Sequence, residues 1–198
     1  MEERAKPAGA PGLRLFEEKD LPFLYEIYSW YVTNTPWNLD WIPESPQAFA
    51  SRIQTIAQDF PVYIALDGQG TLIGYGYAHK AMEKQAYEHV AELTVYFRQG
   101  PHYGLATAML EKLEEDLKRQ HIRWMISCIT EANTASTAFH DRHGFTLLGR
   151  LPRAGYKNQI WYDVVWYGKE LDSDVTRADG MSVPRWCSFP DLKDKTEN

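Results

Sequence analysis

Residues Leu93–Ala108 read LTVYFRQGPHYGLATA, and the change of character inside this stretch decides the fold. Its first five residues, LTVYF, are rich in β-branched and aromatic side chains, the composition of a strand. After Gly104 the chain enters LATAMLEKLEEDL, in which Leu105, Met109, Leu110, Leu113 and Leu117 recur on one helical face while Glu111, Lys112, Glu115 and Asp116 are expected to look mostly away from it. A strand that passes through a glycine-bearing turn into an amphipathic helix is a βα unit. The junction collects N–H groups without intrahelical partners and the positive end of a helix dipole, so it can hold an anion such as a phosphate. Taken alone, the same junction also fits an ordinary βα turn.

Working outward, the elements alternate. LRLF (Leu13–Phe16) predicts a first strand, and Asp20 is placed to cap a helix through Tyr25, Tyr28 and Tyr31 that must stop before Pro36. Ser45 caps a second helix with Phe49, Ile53 and Ile56 on its apolar face. The proline-rich segment between them carries Trp37 and Trp41, as recognition surface or as packing. VYIAL, an Asp-Gly turn and LIGYGYA predict a hairpin. Beyond the central βα unit, WMISCIT reads as a buried strand, NTASTAFHDRH as a short helix ended by Gly144, and FTLLGRL and IWYDVVWYG as two closing strands. From Asp172 the chain turns polar and aperiodic, with Trp186 and Phe189 able to pin part of it down.

Bulk properties limit the function. The 198 residues, 44% hydrophobic and 24% charged, suit a single globular domain. A net charge of −6 without a lysine or arginine block gives no footprint for nucleic acid. The longest apolar runs are too short to span a membrane and MEERAKPAGAPG lacks the apolar core of a leader, so a cytoplasmic protein is expected. Cys128 and Cys187 have no paired spacing and read as reduced thiols. His140 and His143 are spaced like two ligands on one helix face, but a third ligand is missing and no metal is expected.

Four stretches, AYEHVAELTVYF, GLATAML, NTASTAFHDRHGF and AGYKNQIWYDVVW, carry in order and near-family spacing a resemblance to the GNAT acetyltransferases, and within them to the phosphinothricin acetyltransferase branch. The resemblance covers Leu13 to about Leu171. It implies a single α/β domain over 13–171, with a mixed, splayed sheet flanked by helices, a flexible N-terminal tail over 1–12 and a polar C-terminal tail over 172–198. It also implies that acetyl-CoA is the co-substrate, lying where two parallel strands part. Val95, Tyr96, Phe97, His102, Tyr103, Gly104, Leu105, Ala106 and Thr107 would hold it, with Asn133 and Ser136 against the pantetheine; the latter two residues also suit a helix cap. The loop departs from the family pattern of Arg or Gln, two residues, Gly, one residue, then Gly or Ala: Pro101 stands first and offers no N–H, and one residue is missing before Gly104.

Acetyl transfer to an amine needs a base for the ammonium proton and a donor for charge developing on oxygen. By position, the resemblance makes Glu92 the base and His140 a proton donor near the coenzyme sulfur. Leu39, Lys84, Tyr87 and Lys157 fall at acceptor positions, with Leu39, Val90 and Pro152 replacing the usual phenylalanine, threonine and arginine. The acceptor is then a small amino-acid-like amine of the phosphinothricin or methionine sulfoximine and sulfone type, acetylated by direct transfer. Two alternatives stand beside it: an enzyme for an unrelated amine, such as a polyamine or a protein N-terminus, and a degenerate module that binds acyl-CoA without catalysis. Relatives in this branch commonly pair as two-fold dimers, and IWYDVVWY offers apolar area for such a homodimer.

Overall fold

The computed structural model describes residues 9–171 and 185–194. Of the tails expected from the sequence, 1–8, 172–184 and 195–198 lie outside the described residues. Seven strands, β1 (Gly12–Leu15), β2 (Val62–Leu66), β3 (Leu72–Lys80), β4 (Val90–Phe97), β5 (Trp124–Thr130), β6 (Thr146–Lys157) and β7 (Ile160–Glu170), form one sheet in the order β1-β2-β3-β4-β5-β7-β6. All neighbours are antiparallel except β4 and β5, the parallel pair that brackets the central βα unit.

Two cores face each other across the sheet because strand side chains alternate. On one face α1 (Leu21–Asn34) and α2 (Pro46–Asp59) bury Leu24, Val32, Phe49 and Ile53 against Ile64, Tyr75 and Tyr77. On the other, α3 (Leu105–Arg119) buries its predicted apolar stripe against Ala65, Ala78, Leu93, Met125 and Ile129. The helix α4 (Thr134–Arg142) joins that face through Phe139 and ends at Gly144, whose φ of +80° only glycine adopts without strain.

Several expectations change in detail. The second helix is capped as read, with Ser45 Oγ accepting from Ala48 N at 3.1 Å. Asp20 precedes α1 without capping it, because Arg14 takes its carboxylate through two hydrogen bonds of 2.6 and 2.7 Å. Asp116, expected on the solvent face, is only 1% exposed and accepts from the Tyr63 hydroxyl. The first closing strand runs on through Pro152 to Lys157; proline is tolerated because β6 is an edge strand with a register shift between Leu151 and Gly155. A two-residue turn at Asn158 and Gln159, both at positive φ, leads into β7. The C-terminal segment holds a short helix, α5 (Phe189–Asp194), beside α2, and Trp186 packs on Phe60 with ring centroids 5.7 Å apart.

The feature that positions the site is the incomplete pairing of β4 with β5. Only Val90–Glu92 pair, with Trp124–Ile126. Beyond Glu92 the two strands part, and a wedge opens between Leu93–Phe97 and Ser127–Thr130. The end of α1 and the connection after it hold the two tips: Tyr31 Oη of α1 donates to Phe97 O at 2.8 Å, and Thr130 Oγ1 donates to Pro36 O at 2.8 Å. The wedge explains why Cys128, in a strand read as buried, is exposed.

Candidate active site

Glu92 is the last β4 residue paired with β5, so its side chain stands at the point where the wedge begins. Across the sheet its register partner is His79 on β3. Burial raises the Glu92 carboxyl above the usual carboxylate range, with His79 opposing that shift in part. Cys128, on the facing strand, is open to the wedge yet partly desolvated by the protein around it, which together with the Glu92 charge pushes its thiol up to about 11. The thiol is therefore protonated at neutral pH and is no nucleophile. A carboxylate with raised proton affinity and no ion-pair partner among the described residues is equipped to accept a proton.

A groove of about 680 Å³ opens on the same face of the sheet, with His79 and Thr94 at its floor and residues of α1, α2 and their connection as walls. Sequence reasoning missed its polar side chains. Arg52 donates through Nε to Glu44 Oε1 at 2.8 Å and through a guanidinium NH₂ group to Tyr77 Oη at 3.0 Å. Asp40 accepts from Tyr28 Oη at 2.9 Å, and burial together with Asp40 lifts that phenol to about 12. Helical spacing marks Arg52 only as a polar residue beside Ile53. Its partner Glu44 lies in an irregular segment for which no periodicity sets direction.

The predicted acceptor residues do not line this groove. Lys84 and Tyr87 are exposed on the turn between β3 and β4, where Tyr87 N donates to Lys84 O at 2.9 Å. Lys157 is 3% exposed, and its ammonium donates to Val32 O at 2.5 Å and Asn38 O at 2.7 Å. It thereby fastens the α1–α2 connection to the end of β6, and burial lowers its proton affinity. Leu39 lies over Gly155, where an added Cβ would come within 2.9 Å of Leu39 Cδ1. Trp41 braces the same connection by donating from Nε1 to Tyr156 O at 2.9 Å.

On the far side of the wedge lies the turn quoted at the outset. Tyr103 and Gly104 adopt positive φ of 52° and 77°, and His102, Tyr103 and Gly104 are exposed. Leu105 N donates to His102 O, whereas the amides of His102, Tyr103, Gly104 and Ala106 have no acceptor among the described residues. Those free donors at the start of α3 fit a pyrophosphate. Val95 and Phe97 turn into the α3 core, Tyr96 to the opposite face, where its hydroxyl accepts from Asn38 Nδ2 at 3.1 Å. Asn133 caps α4, its Oδ1 accepting from Ser136 N at 3.2 Å.

The resemblance places His140 where it would protonate the leaving thiolate or support proton transfer from the amine. The ring is 6% exposed with both nitrogens engaged: Nδ1–H donates to Ser136 O at 2.8 Å, which leaves Nε2 to accept from Ser127 Oγ at 2.9 Å. Burial lowers its proton affinity, so the ring is neutral at neutral pH and reaches its surroundings through Ser127.

Comparison with known proteins agrees with this geometry. The sequence model of the acetyltransferase (GNAT) domain matches residues 13–166. An L-methionine sulfoximine/L-methionine sulfone acetyltransferase of Pseudomonas aeruginosa is 31% identical over 166 residues, covering 80% of this chain and 92% of that protein. A phosphinothricin N-acetyltransferase of Streptomyces viridochromogenes is 25% identical over 77% of this chain and 84% of its own length. The crystal structure of a GNAT superfamily phosphinothricin acetyltransferase from Sinorhizobium meliloti in complex with AcCoA superposes with a TM-score of 0.80 at 29% identity, covering 88% of this chain and 96% of that one. The chain belongs to the GNAT acetyltransferase family. It is an N-acetyltransferase, with acetyl-CoA as co-substrate. Among the described residues no helix is long and apolar enough to cross a membrane.

Proposed function

We propose that the chain transfers the acetyl group of acetyl-CoA directly to the amine of a small amino-acid-like acceptor, of the methionine sulfoximine, methionine sulfone or phosphinothricin type, in the cytoplasm. The observation that carries this reading is the position of Glu92: an unpaired carboxylate of raised proton affinity at the parting of β4 and β5, with free amides beyond the tip of β4 and a groove on its own face. The amine reaches Glu92 along the groove and gives up its ammonium proton there, directly or through one water. The amides from His102 to Thr107 that remain free hold the coenzyme pyrophosphate, and the open edge of β4 at Val95, Tyr96 and Phe97, with Asn133 and Ser136, receives the pantetheine arm. The coenzyme supplies an activated acyl group, so no covalent enzyme intermediate is required.

Acceptor recognition divides into two layers. Lys84 and Tyr87, exposed on their turn, meet the acceptor from outside, the lysine offering its charge to a carboxylate. Leu39 and Lys157 act one step back, as positioning residues for the connection that walls the groove. His140 orients Ser127 on the wedge strand.

A second copy of the chain completes the assembly. β6 is a 12-residue edge strand with Leu147, Leu148 and Leu151 each about half exposed, and the hairpin tip adds Trp161 at 58%. An edge of this length and apolarity, left uncovered by the described residues, suits a two-fold partner. The reading is tested by free-thiol release from acetyl-CoA against a panel of amines. Methionine sulfone, methionine sulfoximine and phosphinothricin should lead; silence with these three and release with polyamines or an N-terminal peptide would transfer the enzyme to the other acceptor class.

A further inference from the structure

The groove on the Glu92 face of the sheet holds hydrogen-bond donors that the fold leaves unspent. A guanidinium carries five N–H bonds. In Arg52 three are taken: Nε and one terminal nitrogen donate to Glu44 Oε1, and the other terminal nitrogen donates to Tyr77 Oη at 3.0 Å. The remaining two have no acceptor among the described residues. Tyr77 Oη, having accepted from Arg52, still has its hydrogen to give, and so does Tyr96 Oη, which accepts from Asn38 Nδ2 at 3.1 Å. All three side chains line the groove. The guanidinium packs on the rings of Tyr28 and Phe49, with its carbon 5.4 and 5.1 Å from their centroids, which fixes the direction of its free N–H bonds.

Strand register sets how far these donors lie from the base. His79 pairs with Glu92 and Tyr77 with Thr94, the next pair on the same face, about 7 Å farther along the strands. In extended methionine sulfone the sulfonyl oxygens lie roughly 6 Å from the amine nitrogen. An acceptor with its amine at Glu92 and its chain along the groove therefore brings those oxygens over the Tyr77–Thr94 row. Charge then decides which head group fits. Arg52 brings one positive charge to this wall, Glu44 and Asp40 bring two negative ones, and Glu44 is already paired with Arg52. A neutral head rich in acceptor oxygens gains the free donors, whereas an anionic head also meets a wall of net negative charge. We infer that Arg52, with Tyr77 and Tyr96, forms the head-group subsite of the acceptor groove, and that its pairing with Glu44 selects neutral sulfone and sulfoximine heads over the anionic phosphinate of phosphinothricin. The inference rests on the amino-acid-like acceptor class and on Glu92 as the base.

Steady-state thiol release at saturating acetyl-CoA, with methionine sulfone, methionine sulfoximine and phosphinothricin as acceptors, tests it. The native chain should give a kcat/KM for methionine sulfone roughly tenfold or more above that for phosphinothricin. Glu44→Gln keeps an acceptor oxygen for Arg52 and removes one negative charge, so phosphinothricin should gain and the ratio should narrow by roughly tenfold. Such a gain cannot come from misfolding. Arg52→Lys keeps a charge opposite Glu44 but gives up the planar fork, and should raise the KM for methionine sulfone roughly tenfold with kcat within about twofold. A native chain that prefers phosphinothricin, a ratio unmoved by Glu44→Gln, or an Arg52→Lys chain that loses kcat on every acceptor alike overturns the subsite. Release from none of the three amino acids, with polyamines or an N-terminal peptide active, would instead remove the acceptor class beneath it.

Discussion

Glu92 and His140 show how burial moves the proton affinities of an acid and a base in opposite directions. Taking a charge out of water disfavours the ionised form, which raises the carboxyl and lowers the imidazole. For His140 the consequence is a stability that depends on pH. Its folded affinity lies below the ordinary 6.5, so the unfolded chain binds the proton more readily between the two values. The contribution is present above 6.5 and is lost as pH falls through the folded value. Urea denaturation of the native chain should therefore show midpoints that drop from pH 7 toward pH 5, and His140→Gln should flatten that part of the profile. Parallel profiles for the two chains would mean that other groups set the acid limit. Both residues were legible by position in their motifs. The burial that defines how each behaves was not, because it comes from packing of distant segments; their partners are equally non-local, Ser127 meeting His140 across a strand–helix contact and His79 meeting Glu92 through strand register.

At the scale of elements, the proposed site is the wedge, where β4 and β5 share only three register positions while Tyr31 of α1 holds one tip and Pro36 of the α1–α2 connection the other. The central βα unit, the amphipathic α3 and the capped α2 were all readable, since periodicity and capping are local signals. The long-range fastenings were not: Tyr31 to Phe97, Thr130 to Pro36 and Lys157 to Asn38 join residues far apart in sequence, and no spacing rule announces them. The same limit hid the groove, where Arg52 and Asp40 gain direction from Tyr77 and Tyr28. The proposed cradle makes a prediction at this scale. Pro101→Arg adds a charged donor at the turn and should tighten acetyl-CoA binding by roughly threefold to tenfold in calorimetry. An unchanged or weaker Kd would mean that the free amides already satisfy the pyrophosphate.

For the whole molecule, the sheet order puts the two ends to different uses. β6 forms one edge with its leucines outward, while Trp186 and α5 pack beside Phe60 and α2 on the other half. The described part of the C-terminal segment is thus a clamp on α2, remote from the β6 edge. Light scattering at tens of micromolar protein should give a dimer both for the full chain and for a chain ended after Leu171, with the shorter chain melting at lower temperature. A monomer in both would remove the pairing, and a dimer only after shortening would make the segment a blocker of assembly. The central claim is that Glu92, where the strands part, takes the proton from the acceptor amine. Glu92→Gln keeps the shape and removes the base, so one pair of measurements tests it most directly: steady-state thiol release with the best acceptor of the panel, and acetyl-CoA binding by calorimetry. The account predicts turnover lowered by about 10²-fold or more with coenzyme Kd within about twofold of the native chain. Turnover that survives the substitution would contradict it.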